Sequence, residues 1–252
     1  MNASLSEIAG FIDALLDIYN VPDWPNALNG LQLSNSGKVT HIGAAVDAGE
    51  PTLRLAGEAG VDLLLVHHGL FWPGLQPLTG PAFRKVSRAI HKDMAIYSAH
   101  LPLDVHPTLG NNALLAQALG LAPAEPFFFE KGRFIGLKAA VSLPLDELAG
   151  RVERAVGGPV KVFRGGPEQT GTVGVVTGAA GGEVDRAAAE GVDTFITGEG
   201  PHHAALAAEE LGVNLLLAGH YATETFGVKA LAAHVAAEFG LPWKFIDYPT
   251  GL

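Results

Sequence analysis

The sequence predicts an α/β protein made of two similar layered domains related by internal duplication, with a metal site in the cleft between them. Three observations predict this fold class. Short apolar runs alternate with alanine-rich segments that end at glycine, which is the pattern of strands connected through helices. The same order of strand, helix and strand occurs twice along the chain. Each copy also carries a histidine that is followed four residues later by an acid.

The longer part of the repeat is visible by direct alignment. Residues 40–69 align without gaps with residues 171–200. Gly43 then aligns with Gly174, and the Gly-Val-Asp tripeptide at 60–62 aligns with the Gly-Val-Asp tripeptide at 191–193. Segments rich in alanine and glycine can imitate one another by chance. The constant offset of 131, together with the repeated spacing of histidine and acid described next, nevertheless favours two equivalent strand–helix–strand units.

The second part of the repeat carries the polar residues. Alignment of residues 94–104 on residues 214–224 places His100 on His220 and Asp104 on Glu224. Composition alone does not supply a repeated spacing of histidine and acid. We therefore predict two halves that face each other about a pseudo-twofold axis.

The expected domains follow from the repeat. The first α/β domain spans 1–126 and is joined by a final strand in 241–252, and the second α/β domain spans 127–240. Residues 127–170 lie outside the repeat and are expected to add a strand, a helix and a strand to the second domain. An amphipathic helix over 4–20 is expected to open the chain. Ser4 and Glu7 have the spacing of a capping box at its start.

Composition excludes several classes of protein. The chain has 252 residues, no cysteine and a net charge of −10, so disulfides, thiolate catalysis and cysteine zinc sites are excluded. Any metal ion must be held by nitrogen and oxygen ligands. The acidic balance makes nucleic acid an unexpected partner. No apolar run is long enough for a membrane span and the first basic residue is Lys38, so a cytoplasmic protein is expected.

Seven side chains that follow predicted strands are the candidate site residues. In open α/β sheets, ligands collect beyond the carboxyl ends of the strands. The candidates are His67, His68, His100 and Asp104 in the first half and Glu199, His220 and Glu224 in the second. This set offers more donors than one ion needs, so we predict two divalent metal ions per subunit, with Zn, Fe, Mn, Ni and Co all compatible with the donor types.

Spacing indicates how these residues share two ions. His67 and His68 are adjacent at a strand end, and alternation along the strand is expected to point them in different directions, so that each holds one ion of a pair. His220 and Glu224 lie one helical turn apart and share a face. Carboxylates such as Asp104 and Glu224 can bridge two cations and offset their repulsion.

Several roles stay open on sequence alone. His100 is a further ligand, a group that orients a ligand, or a proton shuttle. Glu199 is a general base or an acid that caps the helix after Pro201. His202 and His203 are expected to be solvated or to face substrate. Phe71, Trp72 and Pro73 either shape an apolar wall of a pocket or pack beneath their loop, and packing is the favoured interpretation.

Four motifs in the chain are "VHHGLFW", "SAHLPLDVHPTLGNN", "ITGE" and "GHYATE". Together they resemble those of the Nif-three-like dinuclear metal protein family, often labelled type 2 GTP cyclohydrolase I. The N-terminal "WPNALNGLQL" is similar to a family stretch but differs in spacing, and the chain resembles the short form without a large central insertion. The resemblance implies a toroidal homohexamer with a metal pair in each subunit. It places the metal ligands on His67, His68, Asp104, His220 and Glu224, with His100 as a possible additional ligand.

The leading functional hypothesis is a dinuclear metal-dependent hydrolase. GTP ring opening is attributed to some relatives of the family, so a water activated by the two ions would attack a carbon such as the guanine imidazole carbon. Glu199 or His100 would move the proton. A small molecule, with a nucleotide as one candidate, is the expected substrate, and Arg84, Lys85 and Arg88 are candidates for phosphate binding. The alternative is a non-enzymatic metal-binding hexameric scaffold or regulatory protein.

Overall fold

The short apolar runs form the strands of two mixed sheets in the computed structural model, which describes residues 2–252. In chain order the elements are β1 (Ala3–Ser4), α1 (Leu5–Leu15), β2 (Gly30–Leu33), β3 (Lys38–Val39), β4 (Ile42–Asp47), α2 (Glu50–Glu58), β5 (Leu63–His68), α3 (Gly80–His91), β6 (Ala95–Ser98), α4 (Leu101–Asp104), α5 (Asn111–Leu119), β7 (Glu125–Glu130), β8 (Arg133–Pro144), α6 (Leu145–Val156), β9 (Lys161–Arg164), β10 (Gln169–Val175), a 3-10 turn (Ala180–Glu183), α7 (Val184–Ala189), β11 (Thr194–Thr197), α8 (His203–Leu211), β12 (Asn214–Leu217), α9 (His220–Thr223), α10 (Thr225–Phe239) and β13 (Trp243–Phe245). The predicted α/β class is confirmed. Across residues 2–252, no helix combines the length and the apolar character that a membrane crossing requires.

The first unit comprises residues 2–103 together with Gly227–Tyr248. Its five-stranded sheet has the order β13-β4-β5-β6-β2, in which β4, β5 and β6 are parallel and β2 is antiparallel to β6. Every residue of β5 is buried, because helices and loops cover both faces of this central strand. The carboxyl ends of β4, β5 and β6 therefore meet at one edge of the sheet.

The second unit comprises Asp104–Phe226 together with Pro249–Leu252. Its six-stranded sheet has the order β7-β8-β10-β11-β12-β9, and β10, β11 and β12 are parallel. The outer strands β7, β8 and β9 extend this parallel core with antiparallel pairs. Two buried apolar clusters fill the unit, one that includes Leu115 on α5 and one that includes Phe195 on β11.

The repeated Gly-Val-Asp tripeptide has the same structural role in both units. Asp62 accepts hydrogen bonds from the backbone N–H groups of residues 40 and 41, and Asp193 accepts them from residues 171 and 172. The residues that donate to each aspartate are themselves aligned by the repeat. Each acid therefore joins the start of one parallel strand to backbone at or near the start of the preceding one.

The repeated glycines mark a close approach in each unit. A Cβ atom on Gly43 would lie 2.8 Å from Val61 Cγ1, and one on Gly174 would lie 3.0 Å from Val192 Cγ2. These valines are the middle residues of the two aligned tripeptides. The shared topology and shared contacts agree with the predicted repeat, and the duplication itself stays a prediction.

The division into units does not coincide with the expected boundaries at 126 and 240. Helix α5, assigned by sequence to the first domain, packs its Leu115 and Leu119 into the core of the second unit. Most of α10 lies in the first unit, where His234 stacks on Phe11 of α1. The repeat aligns sequence but does not reveal on which sheet its last helix packs.

Two local expectations also differ from the structure. Helix α1 ends at Leu15 rather than at residue 20, and Ser4 at its N-cap bonds to Ser6 instead of forming the expected capping box with Glu7. The segment expected to hold a strand, a helix and a strand begins with a hairpin, because β7 and β8 pair antiparallel before α6. The turn at Lys131 and Gly132, both with positive φ, makes this hairpin possible.

We predict that Gly174→Ala lowers the free energy of unfolding by roughly 1–3 kcal/mol, because the new methyl group would lie 2.8 Å from Phe127 in a packed core. Urea denaturation followed by circular dichroism measures this. Gly10→Ala is the matched control, since Gly10 is exposed in α1 and no atom of the described chain lies within 4 Å of its Cβ position. The control should raise the free energy of unfolding by about 0.5–1 kcal/mol. Equal effects of the two changes would contradict the close approach.

Candidate metal centre

The first group of candidate ligands lies where the parallel strands of the first unit end. Strand β5 ends at His67 and His68, and His100 follows β6 by two residues. The neighbouring strand β4 ends at Asp47, which pairs in register with His68. Parallel pairing therefore places three polar strand ends at one edge of the sheet.

Three imidazoles form a compact group in this unit. His67, His68 and His100 each place a ring nitrogen within 4.8 Å of the others, and all three residues are at least 93% buried. The ring centroids of His67 and His68 are only 4.9 Å apart. The expectation that the two adjacent rings point in different directions is therefore wrong, because the rings lie close together, with a ring nitrogen of each within 4.8 Å of the other. Their separation suits one shared ion or two neighbouring ions.

Each of these imidazoles is fixed at Nδ1 by an oxygen acceptor. His67 Nδ1 lies 2.9 Å from the carbonyl oxygen of Ala99. His68 Nδ1 lies 2.9 Å from a carboxylate oxygen of Asp47. Since carbonyl and carboxylate oxygens only accept, both Nδ1 atoms carry the proton and donate it. When either ring is neutral, its lone pair is then on Nε2.

His100 has the same arrangement. Its Nδ1 lies 3.0 Å from one oxygen of Asp23 and 3.1 Å from the other. Asn29 donates to Asp23 and accepts from the backbone N–H of His100, so the acid and the imidazole are held as one unit. Burial alone would raise the pKa of Asp23, but the hydrogen bond and charge of His100, with the bonds from Asn29 and Trp24, lower it below its usual value. Asp23 therefore stays ionised as an acceptor.

The second group lies at the corresponding strand ends of the second unit. Glu199 follows β11 by two residues, and His220 and Glu224 begin and follow the short helix α9. His220 Nδ1 lies 2.9 Å from Glu199 Oε1, and His220 Nε2 lies 3.1 Å from Glu224 Oε2. Glu224 is 97% buried, whereas Glu199 is partly exposed.

The backbone leaves room for the Glu224 carboxylate. Gly178 follows β10 by three residues with a φ of +77°, and a Cβ atom there would lie 2.5 Å from Glu224 Oε1. Only glycine combines this conformation with so close an approach. The segment after β10 is therefore shaped around this acid.

Two carboxylates on one imidazole change its protonation. Burial alone would lower the pKa of His220, but the hydrogen bonds and charges of Glu224 and Glu199 outweigh it and raise the pKa to about 9. Without a cation, a proton on Nε2 partly offsets the charge of the two acids. A divalent cation bound between Nε2 and Glu224 would offset that charge instead.

Asp104 is the third predicted ligand in the second unit. It ends α4, is 92% buried, and accepts a hydrogen bond of 2.8 Å from the side chain of Asn111 at the start of α5. This bond uses one carboxylate oxygen and sets the orientation of the group.

The donor chemistry of both groups fits divalent metal ions. Ligating histidines characteristically donate their second ring N–H to a carboxylate or a backbone carbonyl, which fixes the tautomer and the direction of the ring. All four imidazoles described above have this arrangement. Nitrogen and carboxylate donors without sulfur suit Zn, Fe, Mn, Ni and Co. Buried groups of His and Glu in this protein can therefore hold metal.

Glu199 and Trp72 contact the candidate histidine ligands. Glu199 contacts the ring of His220 and does not act only as a loop acid, while its catalytic role stays a prediction. His202 and His203 are exposed at the start of α8. Trp72 lies 4.8 Å from the His68 ring and 4.5 Å from the His100 ring, so it forms an aromatic wall of the three-histidine group.

Sequence reasoning missed the residues that orient the ligands. They are Asp23, Asn29, Asp47 and Asn111. Asp47 had a usable signal, because it ends the strand before "LLLVHH" in a predicted parallel sheet. Asp23 lies in an irregular segment, and nothing in its spacing connects it to His100.

Comparison with known proteins gives matches over nearly the whole chain. The family model Duf34/NIF3 (NGG1p interacting factor 3) matches residues 3–250. A protein named GTP cyclohydrolase 1 type 2 homolog from Deinococcus radiodurans is 44% identical over 248 residues, which cover 98% of this chain and 94% of that protein. A protein of the same name from Halobacterium salinarum is 42% identical over 245 residues, covering 94% and 96%. The crystal structure of TTHA1606 from Thermus thermophilus matches with a TM-score of 0.91 and 42% identity over 99% of this chain and all of that one.

We predict that Glu199→Gln lowers the pKa of His220 in metal-free protein from about 9 towards 6.5, because it removes one of two acids that favour the imidazolium. NMR titration of the histidine ring protons measures this.

The raised pKa of His220 also makes the free energy of unfolding depend on pH. The contribution of His220 is complete below about pH 6.5 and is lost as the pH rises through about 9. A pKa of His220 that does not change in the variant would contradict the assigned contact.

Proposed function

The chain belongs to the Duf34/NIF3 family, and from this membership and the geometry of its histidines we propose that it is a dinuclear metal-dependent hydrolase. The supporting observation is that the buried imidazoles of His67, His68 and His100, and the partly exposed imidazole of His220, all have Nδ1 fixed by an oxygen acceptor. A buried histidine that serves only packing needs no such uniform arrangement. Rings whose Nε2 lone pairs are directed by a second partner are suited to ligation.

The proposal joins the two groups around one pair of ions. His67 and His68 of the first unit and Asp104, His220 and Glu224 of the second would hold the ions, with His100 beside them as an additional ligand or proton carrier. When bound, two divalent ions supply Lewis-acid activation of water and stabilisation of negative charge. Three nitrogens and two carboxylates give a pair of ions enough protein ligands while leaving positions for water and substrate.

The surrounding residues have separate tasks in this proposal. Asp47 and the carbonyl of Ala99 keep His68 and His67 in the ligating tautomer. Glu199 holds the proton on His220 Nδ1 and, being partly exposed, can exchange a proton with solvent. Trp72 limits access of water to the histidines from one side.

The reaction that we propose is opening of a heterocyclic ring of the kind attributed to GTP cyclohydrolases. Relatives named GTP cyclohydrolase 1 type 2 homolog cover nearly the whole chain, which supports this class over other hydrolyses. Hydrolysis of such a ring requires activated water and a donor that protonates the departing nitrogen. His100, paired with the ionised Asp23, is a suitable group to hold that proton.

We predict that protein purified without chelator carries two divalent ions per chain and opens GTP, and that His68→Ala loses at least one ion and the turnover. The substitution removes a ligand whose position Asp47 fixes, and loss of a ligand or of its orienting partner weakens metal binding by roughly 10–100-fold or more. Elemental analysis and a GTP turnover assay measure the two effects.

His41→Ala is the matched control, since His41 lies in the loop before β4 and in neither group, and it should retain both metal and turnover. A full metal complement without turnover on GTP or on other hydrolysable substrates would favour the alternative, a non-enzymatic metal-binding scaffold. Turnover that survives His68→Ala would contradict the proposed centre.

We also propose that the protein assembles as a toroidal homohexamer. Several large apolar side chains are exposed near the start of α3, among them Leu75, Leu78 and Phe83, and exposed apolar patches are typical of interfaces. Light scattering coupled to size exclusion should give a mass about six times that of the 26.2 kDa chain. A monomeric mass at micromolar concentration would contradict the hexamer and leave the metal proposal intact.

A further inference from the structure

A cavity of about 490 Å³ opens beside Asp104 in the second unit, and its volume is in the range of small-molecule binding sites. One wall is the face of α5 that carries Ala113 and Ala116, and the opposite wall is formed by β8 at Phe134 and Leu137. Of the lining residues within 2–252, Asp104 is the only acid. A ligand bound in this cavity would therefore lie against a proposed metal ligand.

The lining of the cavity suits an uncharged ring. No lysine or arginine is among the described residues that line it, and most of the others are alanine, leucine, proline, phenylalanine, isoleucine and glycine. His106 and Asn112 add polar groups, and the Asn112 side chain is already bonded to the backbone of Ile135 and Thr177. Phosphate would find no positive charge from these residues. A flat heterocycle with a few polar edges would be well accommodated.

Positive charge lies in an adjoining open groove of about 470 Å³. Gln117 and Gly120, at the end of α5, line both the cavity and the groove. The groove is completed by Arg151 and Arg154 of α6. A ligand can therefore extend from the apolar cavity past the end of α5 to two guanidinium groups.

The two arginines are not equivalent. Arg151 donates to the carbonyl of Leu119 and to Glu147, which fixes its position. Arg154 has no ion pair or side-chain hydrogen bond within residues 2–252 and is exposed. Arg154 therefore has its full set of donors available for an anion.

The length of α5 sets the length of the ligand. Asn111 at its start bonds to Asp104, and Gly120 follows its end. Nine residues at 1.5 Å each span roughly 14 Å. A ring with a sugar and a chain of phosphates is long enough to reach from one end to the other, whereas a base or a nucleoside is not.

We propose that the cavity and groove form one binding site for a nucleoside polyphosphate, with the heterocycle beside Asp104 and the phosphates at Arg151 and Arg154. This inference rests on the proposed function, because it takes Asp104 as a ligand of the reacting centre. It also replaces Arg84, Lys85 and Arg88 as the phosphate contacts. Arg84 is paired with Glu50 at 3.0 Å. Arg84 and Arg88 line a separate groove on α3, and none of the described residues of that groove is a candidate metal ligand.

The test measures binding of GTP and guanosine by calorimetry in the His68→Ala background, where turnover is not expected. GTP should bind about tenfold more tightly than guanosine, because only GTP reaches the arginines. Arg154→Gln should weaken GTP binding by roughly fivefold and leave guanosine binding unchanged. Ala113→Phe, which fills the cavity, should weaken binding of both by at least about tenfold.

Two control variants match these changes. Arg54→Gln removes one exposed arginine of the first unit, and Ala205→Phe enlarges a half-buried helical alanine that lines neither space. Both should bind the two ligands as the parent does. Because Arg154 is exposed, the Arg154→Gln variant is expected to fold. The ratio of its affinities for GTP and guanosine therefore decides the proposal even if Ala113→Phe unfolds.

Equal affinity for GTP and guanosine, or equal effects of Arg154→Gln and Arg54→Gln on GTP, would overturn the inference. Two further results distinguish the binding-site inference from the hydrolase proposal. GTP turnover by the otherwise wild-type protein with a KM that Arg154→Gln does not change would keep the hydrolase and reject this site. A preference for GTP that depends on Arg154, without any turnover, would keep this site and reject the hydrolase.

Discussion

The hydrogen bond at Nδ1 of each buried histidine is the constraint on which the candidate centre depends. Ala99 and Asp47 hold His67 and His68, and Asp23 holds His100. An imidazole without such a partner could rotate or carry its proton on either nitrogen. With it, each ring has one tautomer and one direction, so that the position of Nε2 is set before any ion binds. Rings that are already fixed lose less conformational entropy on binding a metal.

Parallel strand pairing places the orienting residues beside the histidines. In the first unit, parallel pairing of β4 with β5 brings Asp47 opposite His68 in register. In the second unit, parallel pairing of β11 with β12 brings the loops that carry Glu199 and His220 side by side. An aspartate of the repeated tripeptide precedes β5 in the first unit and β11 in the second, and each bonds to the backbone near the start of the neighbouring parallel strand, β4 or β10. The positions of the ligands therefore follow from the same residues that order the strands.

The sequence predicted the fold class and the polar strand ends because both depend on local pattern. Alternation of apolar and helical segments gave the α/β class, and the doubled histidine at the end of "LLLVHH" marked the site. The orienting residues Asp23 and Asn29 could not be predicted, since they reach His100 from an irregular segment more than seventy residues away. The packing of α5 on the second sheet was missed for a similar reason, because an alanine-rich helix fits either sheet and only tertiary contacts distinguish them.

The central claim is that both groups of ligands hold one pair of ions through Nε2 and carboxylate oxygens. Anomalous diffraction at a metal absorption edge, from crystals of protein purified without chelator, tests it most directly. The account predicts two peaks in each chain about 3.5–4 Å apart, in contact with His67, His68, Asp104, His220 and Glu224. A single ion bound by one group alone, or ions bound elsewhere with these Nε2 atoms uncoordinated, would contradict it.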